Sequence, residues 1–189
     1  GSASGGWDDR NLSNPSVAKL PSSFSRQYVM LYHARAASGG LRQVGLATAT
    51  DPLGPFERLD PLTGGAISDP VIAPSTDASF LDSGRTLHPT VYFDGVDLHV
   101  WYNARTDADS TLRLFHASSS DGGVTWTRTD DDGVPGPDVI FEPTQGFHGS
   151  KTTQVSLLED PFTTGEYEYW YTGDETEVGY TTGTLTEWE

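Results

Sequence analysis

The 189-residue sequence contains no cysteine, which excludes disulfide frameworks, thiolate metal sites and cysteine nucleophiles. It also has no run of about 18 apolar residues, so no membrane-spanning helix is expected. No stretch keeps a 3.6-residue apolar period over three turns, which argues against amphipathic helices. Basic residues are scarce: 11 Lys and Arg stand against 27 Asp and Glu, and the formal net charge is −16. Because this charge repels phosphate backbones and anionic lipids, neither nucleic acid nor a membrane is expected as a partner.

What the sequence does contain is a strand-like segment that recurs three times at nearly constant spacing. The three copies are residues 28–34, 98–104 and 167–173. Their matched tyrosines, Tyr32, Tyr102 and Tyr171, lie 70 and 69 residues apart. Further short runs rich in Val, Tyr, Trp, Phe and Thr flank each copy, separated by Asp-Gly and Pro-containing turns typical of strands and hairpins. A period of this length built from strands predicts a repeated-sheet architecture.

The repeats predict an all-β fold, a partial β-propeller of about three four-stranded blades. The expected divisions are an N-terminal arm at residues 1–13, blade 1 at 14–75, blade 2 at 76–145 and an incomplete blade 3 at 146–189. Propellers usually close with four to eight blades, so three blades need completion. Two hypotheses stay open: a homodimer that closes a six-bladed ring by twofold symmetry, or a chain that is part of a longer five-bladed protein.

The second repeat carries the clearest resemblance to a known family. Residues 87–103 (LHPTVYFDGVDLHVWYN), followed by 117–126 (ASSSDGGVTW) and 138–140 (DVI), resemble the blade pattern of one superfamily of five-bladed glycoside hydrolases. This is the superfamily of arabinanases, invertases and levansucrases. Residues 45–56 (GLATATDPLGPF) resemble a turn that is common in those enzymes. The resemblance covers residues 14–189 and implies the fold more than the activity.

A second resemblance concerns one hairpin turn, whose spacing S-x-D-x-G-x-T-W is similar to the Asp box of sialidase-like propellers. The matching residues are Ser119, Asp121, Gly123, Thr125 and Trp126. We expect a structural role for this turn. The Asp121 carboxylate would accept backbone N–H groups within the turn while Trp126 packs inward.

The family resemblance implies a carbohydrate-directed protein, either a glycoside hydrolase or a relative that binds glycan without cutting it. Glycoside hydrolysis needs two carboxylates that flank the scissile bond. The related enzymes place them at the starts of innermost strands, often as an Asp-Pro pair. None of the matching positions in this chain is acidic: they are Asn14, His88 and Thr152 or its neighbour Lys151. The remaining catalytic candidates are acids shifted from those positions: Asp9, Asp82 and Glu175.

The resemblance also implies where substrate would bind. In such propellers the innermost strand begins, and the second strand ends, at the face that carries the central pocket. Polar and basic side chains at these strand ends are therefore predicted to bind substrate. They are Asn14, His33, Arg35, His88, Asn103, Arg105, His148 and Lys151.

No cofactor or metal site is predicted. The histidines show no spacing typical of zinc ligands. Acidic turns at residues 130–133 and at Asp107 and Asp109 suggest calcium, since hard cations prefer oxygen ligands. Neither turn matches the twelve-residue calcium loop, so we expect both to be solvated turns.

The alternative function is a structural or protein-interaction module without catalysis. The missing acids at the strand starts favour it. Two carboxylates at glycosidase separation in one cleft would favour an enzyme, whereas a filled or basic channel would favour the module. The excess of aspartate and the presence of only two lysines predict an extracellular or periplasmic protein.

Overall fold

The computed structural model describes residues 6–37, 39–130, 136–143, 151–173 and 177–185. Within these residues it contains strands but no helix. The strands are β1 (Arg10–Lys19), β2 (Tyr28–Arg35), β3 (Gln43–Ala49), β4 (Arg85–Phe93), β5 (Leu98–Arg105), β6 (Arg113–Ser119), β7 (Thr127–Arg128), β8 (Val139–Phe141), β9 (Thr152–Glu159), β10 (Tyr167–Gly173) and β11 (Glu177–Gly183). Accordingly, the described part of the chain has no helix long and apolar enough to cross a membrane.

The strands form three antiparallel sheets, one for each sequence repeat. The first is ordered β1-β2-β3, the second is built on β4-β5-β6, and the third is ordered β9-β10-β11. The tyrosine-bearing segment is the middle strand of this order in every sheet. This arrangement confirms the predicted all-β partial propeller.

The innermost strands β1, β4 and β9 lie beside one another. The backbone N–H of Val91 in β4 donates to the hydroxyl of Ser16 in β1 at 3.0 Å. The hydroxyl of Thr90 in β4 donates to the carbonyl of Val155 in β9 at 2.6 Å. The three sheets are therefore joined at their inner edges as well as by their faces.

Among the described residues, the predicted fourth strand forms only in the second sheet, where it is divided. In the second sheet, β7 and β8 pair with separate parts of β6. In the first sheet, two single bridges replace them, Thr48 with Glu57 and Val44 with Ile72. The third sheet has no fourth strand among the described residues.

Alternate side chains of each middle strand pack in opposite directions, and this explains the continuous apolar runs of the repeat. In β5, Val100 and Tyr102 join a buried cluster with Leu31 of the first sheet. Trp101, between them in sequence, joins a second cluster with Tyr169 of the third sheet. A strand that is buried on both faces has no polar side to expose.

Each innermost strand carries a β-bulge at the same place. Strand pairing skips one extra residue between Ser13 and Ser16 in β1, and the same irregularity recurs in β4 and β9. The bulged residues Asn14, His88 and Gln154 have φ angles of 51°, 47° and 51°. A non-glycine residue with positive φ is uncommon, so three at equivalent positions mark a repeated feature of the fold.

The bulges correct the predicted alignment of the third repeat. The sequence alignment of the repeats made Thr152 equivalent to His88, because Val155 then aligns with Val91. The structure instead places Gln154 at the position of His88, two residues later. Valine recurs in most strands, so matching one valine did not determine the register.

The N-terminal segment packs on the first sheet. β1 begins at Arg10, inside the segment that was predicted as an arm ending at residue 13. The Trp7 ring stacks on Tyr32 with ring centroids 6.3 Å apart. A Cβ added at Gly45 would lie 2.7 Å from the Trp7 ring, so glycine is needed beneath this tryptophan. The segment before β1 therefore covers the face of blade 1 that points away from blade 2.

Trp101 and Trp170 occupy the same position of the repeat but differ in burial, and this difference predicts their contributions to stability. Trp101 is fully buried between two sheets, whereas Trp170 is half-buried on the open face of the third sheet. Trp101→Ala is expected to lower the free energy of unfolding by about 3–5 kcal/mol, because it leaves a cavity. Trp170→Ala should cost clearly less. Urea denaturation of both variants measures the difference, and equal losses would contradict the assigned packing.

Candidate functional site

A cavity of about 480 Å³ opens where β4 and β9 begin and β5 ends. We call it the mouth cavity. Four of the predicted substrate-binding residues line it: Asn14, His88, Arg105 and Lys151. Arg42, Arg85 and Gln154, which were not predicted, line it as well. The prediction that strand starts and ends converge therefore agrees with the geometry for these four residues.

A second cavity, of about 560 Å³, runs along the innermost strands, and we call it the axial cavity. Its described lining comes only from β1, β4 and β9. The three bulged residues Asn14, His88 and Gln154 line both cavities. The repeated bulge thus brings one polar side chain from each sheet to the boundary between the two spaces.

The mouth cavity is strongly basic. Arg42, Arg85, Arg105 and Lys151 line it, which is four of the 11 basic residues of the chain. No carboxylate is among the described lining residues. Within the described part of the chain, neither Arg42 nor Arg105 forms a salt bridge. Arg85 has one acidic partner, Asp107 at 3.4 Å, whose side chain is largely solvent-exposed.

The clustered guanidinium groups affect one another. Burial lowers the pKa of Arg42, and the charges of Arg35, Arg85 and Arg105 lower it further. Like charges disfavour the charged form of a neighbour, so the part of the lowering that comes from these three guanidinium groups reflects positive charge gathered around Arg42. An anion in the mouth cavity would relieve that repulsion.

His33 supports the bulge of β4 and does not line either cavity. Its Nδ1 accepts the backbone N–H of His88 at 3.2 Å, and its Nε2 lies 2.9 Å from the Ser13 hydroxyl. Burial, followed by the charges of His88 and Arg42, lowers the pKa of His33 to about 4. The imidazole is therefore neutral at pH 7, with Nε2–H donating to Ser13.

His88 and Asn103 lie close to the mouth cavity at different depths. Burial lowers the pKa of His88, so this lining side chain is also neutral at pH 7. Asn103 is fully buried, and its amide donates to the carbonyl of Thr152 at the start of β9. Nδ1 of His88 and Oδ1 of Asn103 are both buried, and an interaction with the Asn103 side chain partly offsets the lowering of the His88 pKa. Asn103 therefore positions the start of β9, while His88 lines both cavities.

The predicted catalytic residue Asp82 is fully buried and does not line the mouth cavity. Its Oδ2 lies 3.2 Å from Nε of Arg128 and accepts the Tyr102 hydroxyl at 3.5 Å. A buried carboxylate paired with arginine is held by its partners and shielded from substrate. Its placement gives no support to a catalytic role.

The same arrangement recurs in blade 1, which identifies it as a structural unit of the repeat. Asp8 accepts the Tyr32 hydroxyl at 2.7 Å and pairs with Arg58 at 3.1 Å. Arg58 precedes Arg128 by 70 residues, the same step that separates the two tyrosines. That step was the sequence signal that could have identified these residues as structural.

The other predicted residues have varied positions. Asp9 lies outside the cavity lining, and its carboxylate accepts the backbone N–H of Ala37. Arg35 contacts Asn11 Oδ1 through Nε at 3.4 Å, beside the basic cluster. His148 and Glu175 lie outside the described residues.

The two remaining motifs serve local structure. Asp121 accepts the backbone N–H groups of Val124 and Thr125, each at 3.0 Å, and Trp126 packs against the core, as expected for this turn. The Asp109 carboxylate accepts the N–H of Thr111 and pairs with Arg113, which together lower its pKa to about 2. Among the described residues, no three acids or histidines converge as metal ligands.

Arg42 and Arg85 are the basic lining residues that the sequence analysis missed. Arg85 and Lys151 hold equivalent positions, each three residues before a bulged residue, in R-T-L-H and K-T-T-Q. Aligning these two tetrapeptides would have identified both the basic pair and the correct register. Arg42 had no such signal, because it lies just before β3 in a loop of blade 1.

Comparison with known proteins supports the fold. No protein-family model matches the chain, and no curated protein sequence matches it. Among solved structures, one represents the GH130 family of mannoside phosphorylases, which contains glycoside hydrolases that target beta-1,2 mannosidic linkages in Candida mannan. It matches with a TM-score of 0.67 at 21% identity, over 97% of this chain and 49% of that one.

Two further solved structures give the same result. A glycosyl hydrolase from Bacteroides ovatus has a TM-score of 0.66 at 21% identity, over 96% of this chain and 49% of its own. An endo-1,4-beta-xylanase from Bacteroides thetaiotaomicron has 0.67 at 16% identity, over 100% and 56%. The chain therefore has the fold of these glycoside hydrolase structures, as the sequence resemblance predicted. It spans about half of their length.

The lowered pKa of His33 predicts a pH dependence of stability. Between its ordinary pKa of 6.5 and the folded value of about 4, the unfolded chain binds a proton more readily than the folded one. The free energy of unfolding should therefore fall as the pH is lowered through this window. His33→Asn keeps an acceptor for the His88 N–H and removes the titration.

The comparison of interest is the pH slope of the unfolding free energy in the two proteins. The slope between pH 6 and pH 4.5 should be reduced in His33→Asn by up to about 1.4 kcal/mol per pH unit. Identical slopes would show that His33 does not titrate with a lowered pKa.

Proposed function

We propose that this chain binds carbohydrate at the mouth cavity and the adjoining axial cavity. The observation that carries the proposal is the repeated bulge, which brings Asn14, His88 and Gln154 from three sheets to one boundary. Amide and imidazole groups can donate to and accept from sugar hydroxyls. The cavity volumes, about 480 and 560 Å³, lie in the range of small-molecule sites. The fold shared with glycoside hydrolases adds support.

The described cavities favour binding over hydrolysis. Glycoside hydrolysis needs a pair of carboxylates across the scissile bond. Neither cavity has a carboxylate among its described lining residues. Asp82 is buried with Arg128, and Asp9 is hydrogen-bonded to Ala37. We therefore propose a glycan-binding role in which this part of the chain supplies recognition and no acid pair.

The test of glycan binding uses Ala substitutions at the bulged residues. Gln154→Ala and His88→Ala should each weaken the affinity for a bound oligosaccharide roughly five- to tenfold, the effect of losing one or more hydrogen bonds. Isothermal titration calorimetry with hits from a glycan array provides the measurement. Gln27→Ala, next to β2 at its opposite end, is the matched control and should leave affinity unchanged. Failure of every arrayed glycan to bind would refute the proposal.

A structural or protein-interaction module is the second candidate, because the third sheet has an open apolar face. Trp170 and Tyr180 contact each other there with ring centroids 5.5 Å apart, and Val178 is 70% exposed. The equivalent residues Leu31 and Trp101 are buried against the next sheet. A further blade therefore fits this face, and we propose a second copy of the chain, which would complete a six-bladed ring.

Sedimentation velocity tests this assembly. The wild-type chain should sediment as a dimer, and Tyr180→Lys should produce a monomer because it buries a charge in the proposed contact. Phe162→Lys is the control: Phe162 is 95% exposed in the turn before β10, and its substitution should leave the dimer intact. A wild-type monomer would exclude the six-bladed ring.

The proposed location, extracellular or periplasmic, rests on composition alone. The chain has 27 acidic residues, only two lysines and no cysteine. Such a composition is compatible with a soluble protein in a salt-exposed environment.

A further inference from the structure

We infer that the carbohydrate bound at the mouth cavity is anionic, with its carboxylate or sulfate group held by Arg42, Arg85, Arg105 and Lys151. This inference rests on the proposed function. It specifies the class of glycan.

The first argument is that positively charged side chains gather at the mouth cavity with few acidic partners. Four basic side chains, which lie in or next to strands of three different sheets, converge on one cavity in a chain whose net charge is −16. Arg42 and Arg105 have no acidic partner in the described part of the chain, and Arg85 has only an exposed one. Folding gains nothing from bringing like charges together. An anionic ligand accounts for an arrangement that packing does not.

The second argument is the chemistry of the cations. Three of the four are arginines, whose planar guanidinium forks form paired hydrogen bonds with oxyanions. A neutral sugar would hydrogen-bond equally well to amides and hydroxyls, and it would leave the charges of Arg42 and Arg105 without an anionic partner among the described residues. The arginines therefore distinguish a charged sugar from a neutral one.

The third argument concerns the rest of the ligand. The mouth cavity adjoins the axial cavity at Asn14, His88 and Gln154, which line both. The described axial lining also includes Ser16, Thr90 and Ser156, and it contains no charged side chain. A basic end joined to a neutral polar channel suits a molecule with one charged group and many hydroxyls. An inorganic anion would occupy only the basic end.

The negative charge of the rest of the chain favours small anionic ligands over large polyanions. The strongly acidic chain repels large polyanions, while the local field of the basic cluster attracts an anionic group that can enter the cavity. Association should therefore be sensitive to ionic strength, because both effects are screened by salt.

The test compares oligosaccharides that differ only in charge. Oligogalacturonate is titrated against its fully methyl-esterified form, and a sulfated galactan oligosaccharide against its desulfated form. Inorganic phosphate is titrated separately. At low salt, the charged member of at least one pair should bind at least about tenfold more tightly, and this advantage should shrink as salt is added. The pair that shows the difference identifies carboxylate or sulfate as the charged group.

Variants assign the preference to the cluster. Arg42→Gln and Arg105→Gln should each remove most of the charged-over-neutral preference while neutral binding changes little. Lys19→Gln is the matched control, because it removes the same charge at the opposite end of β1, where Lys19 lies over Tyr28. Thermal unfolding checks that the variants fold. Two separate arginines keep the test decisive if one variant does not fold.

The outcomes separate the two proposals. Equal affinity for charged and neutral members, or an unchanged preference in both arginine variants, would overturn this inference and leave glycan binding standing. Binding of none of these oligosaccharides would overturn this inference, and glycan binding would fall with it only if every arrayed glycan also failed to bind. If phosphate binds as tightly as the charged oligosaccharides, the cluster is a site for a free oxyanion and the inference is wrong.

Discussion

Face-to-face packing of the sheets is the constraint on which the rest of this structure depends. The middle strand of the second sheet buries Tyr102 against blade 1 and Trp101 against blade 3, so neither face of that strand can carry solvent-exposed charge. On the outward face of blade 1, Tyr32 stacks on Trp7 and donates a hydrogen bond to Asp8. Polar side chains that a ligand could reach are therefore left to the strand ends, where the cavities lie.

The innermost strands β1, β4 and β9 bring polar residues from the three packed sheets to the two cavities. The bulge places one residue of each strand at positive φ, and Asn14, His88 and Gln154 then share a cavity boundary. His33 couples two blades at this level, because it accepts a hydrogen bond from the backbone of His88. The position of His88 in the mouth cavity thus depends on this contact between blades 1 and 2.

Sequence reasoning identified what depends on local pattern. The recurrent tyrosine segment predicted the sheets, and strand ends predicted four of the residues that line the mouth cavity. Sequence reasoning failed where the position of a side chain depends on contacts with residues far away in the chain. Asp82 was expected near the active face, but Tyr102 and Arg128, which hold it in the interior, lie 20 and 46 residues further along the chain. The register of β9 was two residues off because Val155 was matched with Val91, whereas the bulge aligns Leu157 with Val91. Arg42 joins Arg85 only through the contact between blades.

The central claim is that the basic cavity at the strand starts holds a charged sugar. A crystal structure of the chain bound to oligogalacturonate or to a sulfated oligosaccharide tests it most directly. The account predicts an anionic group within hydrogen-bond distance of Arg42 or Arg105, with sugar hydroxyls on Asn14, His88 or Gln154. A sugar bound elsewhere on the surface, with the mouth cavity occupied only by solvent, would contradict it.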